Sequence, residues 1–334
     1  LSFGGELTDE TLQQIVSDYQ QMEADGMEKE LEKTDWQIVN SWLGTLYPEL
    51  RDTSNYKTMI SYVDPDKLTG FYERRQQVLD EFLEVSGQVG AEKEYLHQIE
   101  RKVEKPFHYE WVEGWSTLLG SMVADLGVVM ALFLGIVLSS LFAGEWHDNT
   151  STLVLTTRNG WGKIALAKIL TGFAFTVELF ALLAVSSVIS QLFFMGTAGW
   201  DMPIQNIKLI AVAPMNMLQA EIYEYAFVLL GAIGFAGIVM FISAAVKNNV
   251  LTLLLSLAVV YGPMMIAEYL PYEMQKALDL IPLAGSSTDI FRTNTFRIFG
   301  KLIWSPYLLI TIPVLIGILC MPFAIKSWSR RMKA

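Results

Sequence analysis

Long uncharged runs dominate the chain from Trp115 onward. Five of them are close to or longer than the roughly 20 apolar residues that a helix needs to cross a bilayer. Backbone polar groups in lipid must be hydrogen-bonded within their own segment, so each run predicts a helix. Only Lys247, Asn248 and Asn249 separate the third run from the fourth, which predicts antiparallel neighbours on a tight turn. The five runs cover residues 117–143, 164–194, 225–246, 250–267 and 302–325.

Residues 1–116 follow another pattern, in which apolar positions recur at helical spacing among many charges. Thr8 is a candidate N-cap, followed by two acidic residues in the first turn. Asp64 and Pro65 predict a further helix start, with a break near Gly70. The breaker at residues 86–90 then predicts a helical hairpin. The fold class is therefore an all-α membrane protein, with an N-terminal helical domain (1–116) and a polytopic transmembrane bundle (117–334).

Composition supports this division of the chain. Of the 334 residues, 52% are hydrophobic and only 18% are charged, which is too apolar for an ordinary soluble protein. Residues 1–118 hold 24 acidic against 11 basic side chains, a net charge of −13. Such a field disfavours nucleic acid and anionic lipid as partners of this domain. The single cysteine, Cys320, leaves no internal disulfide to form.

The distribution of Lys and Arg predicts the orientation in the membrane. If residues 1–116 are outside, the cytoplasmic connections and tail hold eight Lys and Arg, against five in the outer connections. We therefore expect a multi-pass protein of the cell membrane, with residues 1–116 extracellular and the C-terminus cytoplasmic. Five spans place the two chain ends on opposite sides, so this orientation predicts a further span before Leu1, six in the intact protein.

Motifs for catalysis are missing from the sequence. The segment Asn159–Ala165, NGWGKIA, lacks the GxxxxGK[ST] spacing that wraps backbone amides around phosphates, and no GxSxG elbow occurs. The three histidines are scattered, without a second ligand at i+3 or i+4. We expect neither a catalytic residue nor a metal or cofactor bound by this chain.

The connection between the first two spans and the residues that flank it form a pattern of aromatic, acidic, apolar and basic positions. They are Phe142, Ala143, Glu145, Thr150, Leu153, Leu155, Arg158, Gly160, Lys163 and Lys168. This pattern resembles the cytoplasmic loop of permeases of the ABC-2 type exporter family. It departs from the family at Asn149, where Gly is frequent, and at Thr157, where Pro is common. The pair Gly114-Trp115 also resembles members with a large domain after their first span.

The resemblance implies a transport subunit without an ATPase site of its own. Residues 144–163 would hold a coupling helix that sits on a separate cytoplasmic ATP-binding cassette ATPase, which carries the ATP and Mg. Leu153 and Leu155 would supply its apolar contact, with Glu145 and Arg158 at its ends; Thr150, Gly160 and Lys163 complete the expected coupling residues. A second permease copy or homologue would enclose the path of a peptide, lipid-like or drug-like substrate. The alternative is an ordinary interfacial loop.

One carboxylate, Glu178, falls near the middle of the second run. Intramembrane carboxylates are costly, by about 2.5–3.5 kcal/mol on insertion scales, and face a partner or a wet cavity. Glu178 is therefore either functional or hydrogen-bonded between helices. Four other carboxylates, at the outer ends of runs, are expected to be hydrated: Asp125, Glu221, Glu224 and Glu268. The series Gly231, Gly234 and Gly237 predicts a small face for close helix packing.

Two other functions remain open. A proton- or ion-coupled secondary transporter would use Glu178 as its relay. A membrane-anchored sensor would use the acidic helical domain to capture an extracellular ligand. An ATPase that copurifies with the chain would separate the exporter from both.

Overall fold

The computed structural model describes residues 4–27, 36–52, 57–110, 113–148, 150, 162–284 and 293–330. The chain divides into two compact units. Unit 1 combines residues 1–117 with two later segments, 191–221 and 291–304, and unit 2 contains residues 118–190, 222–290 and 305–334. The segments that join unit 1 are therefore far apart in the sequence.

Unit 1 contains short amphipathic helices that surround an aromatic core. Thr8 caps the first helix, and its side chain and that of Thr11 complete a reciprocal capping box, which confirms the predicted start. Asp64 accepts a hydrogen bond from the Asp66 amide in a short 3₁₀ turn, and a new helix begins after Gly70, whose φ of +72° is left-handed. The helices are α1 (Asp9–Ala24), α2 (Trp36–Leu46), α3 (Phe71–Val85), α4 (Ala91–Glu100) and α5 (Glu113–Thr117).

Polar contacts pair residues of α3 and α4 in reverse order along the chain, as in an antiparallel hairpin. Lys93 lies 2.8 Å from Glu84 and 3.2 Å from Asp80, while His97 reaches back to Asp80 at 2.8 Å. These contacts agree with the helical hairpin that the sequence predicts.

Two short antiparallel strand pairs accompany the helices of unit 1. Strands β1 (Gly5–Glu6) and β2 (His108–Tyr109) pair with each other although they lie near opposite ends of residues 1–116. Strands β3 (Thr295–Ile298) and β4 (Lys301–Trp304) form a hairpin whose turn residues, Phe299 and Gly300, both have positive φ. That geometry suits the right-handed twist of the two strands. The sequence reasoning predicted none of these strands.

Arg75 is fully buried and connects three parts of unit 1. Its guanidinium lies 2.6 Å from Glu100 and donates to the backbone carbonyls of Leu209 at 2.8 Å and Ala211 at 3.2 Å. Lys105 also contacts Glu100, at 2.8 Å. Burial alone would raise the pKa of Glu100, but the hydrogen bonds from Lys105 and Arg75 outweigh it and hold this pKa below its usual range. The network attaches residues 209–211 to α3 and α4.

Five helices in the described part of the chain are long and apolar enough to cross a membrane, which makes the chain a multi-pass membrane protein by helix length and composition. The first is interrupted by a π-helical turn, Leu118–Met122, before its long part begins. They are α6 (Val123–His147), α7 (Lys163–Met195), α8 (Met217–Ala245), α9 (Asn249–Ile266) and α11 (Ser305–Arg330); a short helix, α10 (Tyr272–Leu278), precedes the last.

Helix α8 is the most buried of the five. Of the most apolar 18-residue stretch of α8, 61% of the residues are buried, against 17% of the corresponding stretches of α7 and α9. Its three glycines lie in close contacts, as the small face predicts. A Cβ on Gly237 would lie 2.6 Å from the Cα of Gly317 in α11, and one on Gly231 would lie 3.0 Å from Leu283. A Cβ on Gly234 would overlap the carbonyl of Pro313. Small residues thus let two backbones approach closely.

The start of α8 corrects one expectation. The helix begins at Met217, eight residues before the apolar run at 225, so Glu221 and Glu224 lie within its first turns. They are only 4% and 1% exposed, so the prediction that these two carboxylates are hydrated is wrong. A hydropathy pattern cannot show this, because it does not say which neighbours cover a polar residue.

Candidate functional site

The expected coupling loop is described at its two ends. Glu145 lies in the last turn of α6, and Thr150 donates to its carbonyl from both the amide, at 3.0 Å, and the hydroxyl, at 3.4 Å. Lys163 is exposed at the first position of α7. The other expected coupling residues lie outside the described residues: Leu153, Leu155, Arg158 and Gly160.

Lys168 joins the two helices that flank this loop. Its ammonium lies 2.5 Å from the Glu145 carboxylate and donates to the carbonyl of Leu141, also at 2.5 Å. The two charged side chains are only 17% and 20% exposed. The second carboxylate oxygen of Glu145, Oε2, is buried and has no hydrogen-bond partner among the described residues. A shielded pair of this kind is stronger than one on an open surface, and losing one partner leaves a partly buried charge.

An aromatic cluster surrounds this ion pair and extends it to α11. Lys168 lies over the rings of Phe142 and Trp328, at 5.3 and 5.6 Å from their centroids. Trp328 contacts Phe142 at 5.4 Å and Trp146 at 6.1 Å between ring centroids. Lys247, in the turn before α9, lies 4.3 Å from the ring centroid of Trp146. We call Phe142, Glu145, Trp146, Lys168, Lys247 and Trp328 the Lys168 cluster.

Ser243 attaches α8 to the same end of α6. Its hydroxyl donates to the carbonyl of Ser139 at 2.7 Å and accepts from the amides of Phe142 and Ala143 at 3.0 and 3.1 Å. The serine is fully buried, so bulk water does not compete for these hydrogen bonds. The C-terminal turns of α6 are therefore connected to α7 through Lys168, to α8 through Ser243 and to α11 through Trp328.

The sequence predicts Glu145 as a coupling residue, whereas Phe142 and Lys168 belong only to the motif that carries the family resemblance. The sequence patterns do not assign Trp146, Ser243, Lys247 or Trp328 to a site. Aromatic and Lys side chains close to the ends of apolar runs are typical of membrane interfaces, and that signal was available for the two tryptophans and for Lys247. Ser243, inside an apolar run, carried no signal of its own.

Glu178 lies at the midpoint of α7, and its side chain is exposed on the surface of unit 2. Ala174 and Ala181, on the same face of the helix, are exposed as well. The alternative that Glu178 makes a buried hydrogen bond to another helix of the chain is therefore wrong for the described residues. A carboxylate at this depth requires water or another protein against this face.

In the described part of the chain, no three His, Cys, Asp or Glu side chains are arranged to hold a metal ion. Comparison of the chain with models of known protein families, with curated proteins and with solved structures finds no match.

Proposed function

We propose that this chain is the membrane-spanning permease subunit of an ATP-binding cassette exporter, and that a separate cytoplasmic ATPase subunit binds ATP and Mg. The proposal rests chiefly on the Lys168 cluster, which connects the two ends of the 148–162 loop to each other, to α11 and to the turn between α8 and α9. The substrate class that fits an exporter of this type is a peptide, a lipid-like molecule or a drug-like molecule.

The contacts of the cluster suit the transmission of force. A loop that receives a push from another polypeptide moves a bundle only if its ends are rigidly attached to several helices, since packed elements shift as rigid bodies. Here the ammonium of Lys168, a residue of α7, bonds two groups of α6, the Glu145 carboxylate and the Leu141 carbonyl, and packs on an aromatic side chain of α11. Displacement of the loop would therefore move α6, α7 and α11 together rather than bend one helix alone.

The same cluster supports a cytoplasmic position for this end of the bundle. It contains two lysines and two tryptophans, and the last turns of α11 carry the further lysine Lys326. Positive residues favour the cytoplasmic side, and Trp favours the membrane interface. We therefore propose a plasma-membrane protein with residues 1–116 extracellular and the C-terminus cytoplasmic.

A second permease copy is the proposed partner at the α7 face. Leaving Glu178 in lipid would cost about 2.5–3.5 kcal/mol on insertion scales. The small neighbours Ala174 and Ala181 allow another helix to approach closely. Two copies with this face directed inward would place both Glu178 side chains on a shared wet path.

Purification of the chain from its native membrane in mild detergent tests the proposal directly. We expect a copurifying chain with a P-loop, whose ATP hydrolysis is stimulated by the permease. Replacing Lys168 with Met should reduce that stimulation at least tenfold, whereas Lys326→Met, an exposed lysine at the same end of the bundle, should leave it unchanged. Purification of a transport-competent protein without any ATPase would refute the proposal.

Labelling in sealed cells tests the orientation. The chain has one cysteine, so a Cys320→Ala background allows a single thiol to be placed at exposed Thr150 or, as the comparison, at exposed Glu81. A membrane-impermeant maleimide should label Glu81→Cys from outside and Thr150→Cys only after permeabilisation. The reverse pattern would overturn the proposed topology.

The exposed carboxylate at mid-helix favours a second candidate, a proton- or ion-coupled secondary transporter in which Glu178 is the relay. Vesicles that hold the chain alone would then transport substrate along an imposed gradient without ATP. Glu178→Gln would abolish that flux, and Glu178→Asp would restore part of it. An absolute requirement for ATP would exclude this candidate.

A further inference from the structure

A small apolar cavity lies among three of the long apolar helices of unit 2. Its volume is about 110 Å³, and its walls come from the first turns of α6, from α8 and from the last turns of α9. At the helical rise of about 1.5 Å per residue, the lining residues of α6 end about 25 Å before Glu145. The cavity is therefore separate from the Lys168 cluster, which lies near the other end of α6.

The walls of the cavity are almost entirely apolar. Tyr261 is the one lining residue with a side-chain hydroxyl, and the others are Val, Ala, Gly, Phe, Met and Leu. An ordered water needs about two to four polar partners, so a cavity with this lining stays dry. Its lining atoms lack van der Waals contacts on one side unless hydrocarbon fills the space.

The cavity opens to the surface at α6 and α9. Two of its lining side chains are exposed, Val128 by 44% and Met264 by 50%, whereas Val228 and Val260 on its inner wall are 1% and 2% exposed. Gly127 borders open space, since a Cβ built on it would meet no atom within 4 Å. Because α6 and α9 are long and apolar enough to cross a bilayer, the exposed apolar side chains at this opening contact lipid tails.

Leu283 lines the cavity in a backbone conformation that is unusual for a bulky residue. Its φ is +60°, in the left-handed region, where a leucine is strained. The residue also packs closely on α8, since a Cβ on Gly231 would lie 3.0 Å from its side chain. Strain of this kind persists only where the surrounding contacts hold a residue in place, and it is common at ligand sites. The wall that Leu283 forms is therefore fixed by its packing on α8.

We propose that this cavity binds the end of an acyl chain of a bilayer phospholipid. The chain enters past Val128 and Met264 and takes the open space beside Gly127. It then packs on Val228 and Val260, while the rest of the lipid stays in the bilayer. The chain supplies the van der Waals contacts that the empty cavity lacks and needs no polar partner. This site is independent of the proposed transport function, because its occupation requires neither an ATPase nor flux.

Photocrosslinking of the full chain in phosphatidylcholine vesicles tests the site. The probe is phosphatidylcholine with a diazirine at the end of one acyl chain, and mass spectrometry maps the residues that it labels. We expect adducts on Val228 and Val260, which lipid around the bundle does not reach, as well as on exposed Leu182 of α7, which reports ordinary lipid contact. Adducts on exposed residues alone would overturn the proposal. An opening without adducts on Val128 and Met264 would overturn it too, since protein would then cover this face.

Variants that fill or narrow the cavity test the same site. Gly127→Leu places a side chain in the open space, so the ratio of adducts on Val228 to adducts on Leu182 should fall about tenfold or more. Gly262→Leu is the matched control, because Gly262 also has nothing within 4 Å of an added Cβ but does not line the cavity. Val128→Trp narrows the opening by changing an exposed side chain, which leaves the core intact, and it should lower the same ratio. An unchanged ratio in both Gly127→Leu and Val128→Trp would refute the assignment.

Discussion

Replacing Arg75 with Met tests how the segment 191–221 is held in unit 1. Arg75 is fully buried and bonds Glu100, the Leu209 carbonyl and the Ala211 carbonyl. Met has a similar length and is apolar, so the substitution removes the guanidinium with little change of volume. The ion pair and both carbonyl bonds are lost together.

The contacts of each partner set the size of the effect. The Ala211 carbonyl keeps its bond from Gln205, so only the Leu209 carbonyl loses the guanidinium without another side-chain donor to replace it. Glu100 keeps Lys105, at 2.8 Å, but is only 4% exposed. Removing one partner of a buried pair costs about 3–5 kcal/mol. We expect a loss of this size in the free energy of unfolding of unit 1, equivalent to more than about a 100-fold change in its unfolding equilibrium constant.

Hydrogen exchange followed by mass spectrometry measures this loss locally. Peptides from residues 204–213 should lose about 100-fold or more of their protection in Arg75→Met, while peptides from α8 and α11 stay unchanged. Arg101→Met is the control, because its contact with Glu94 is 68% and 54% exposed and contributes about 0–1 kcal/mol.

The double variant Arg75→Met with Glu100→Met should recover part of the loss, since it no longer leaves a buried charge. Arg75→Met with protection equal to that of the wild type at residues 204–213 would refute the argument that this network attaches residues 209–211 to α3 and α4.

Three further predictions concern packing and pH. Gly237→Ala places a Cβ 2.6 Å from Gly317 and should lower stability by about 1–3 kcal/mol in thermal unfolding, whereas Gly127→Ala, with nothing within 4 Å, should not. The pKa of Glu100 is depressed in the folded state, so this carboxylate stabilises unit 1 at pH values above the ordinary pKa of Glu. The stabilisation is lost as the pH falls through the folded pKa, so acid should unfold unit 1. Arg75→Met should flatten this pH dependence of stability. Burial raises the pKa of Tyr47 to about 12, so stability should fall as pH rises above about 10, where the unfolded tyrosine ionises first. Burial also raises the pKa of Tyr72, so Tyr47→Phe should reduce this fall without removing it.

Much of the helical content was predictable, because helices depend on local patterns. The Thr8 cap, the break at Gly70 and the five apolar runs all correspond to elements of the structure. The strands were not predictable in the same way, since each has only two to four residues and pairs with a partner chosen by tertiary contacts. The cluster around Lys168 was predictable only in part, because its members come from four regions of the chain.

What the sequence determined by itself is the class of protein: five apolar runs of about 20 residues or more, whose backbones must be bonded internally in lipid, predict helices long enough to cross a membrane. The tertiary structure decided which polar groups are covered. Glu221 and Glu224 are buried, while Glu178, in the middle of an apolar helix, is exposed. The physical reason is that hydropathy measures what each residue prefers, whereas burial depends on neighbours that lie tens or hundreds of positions away along the chain.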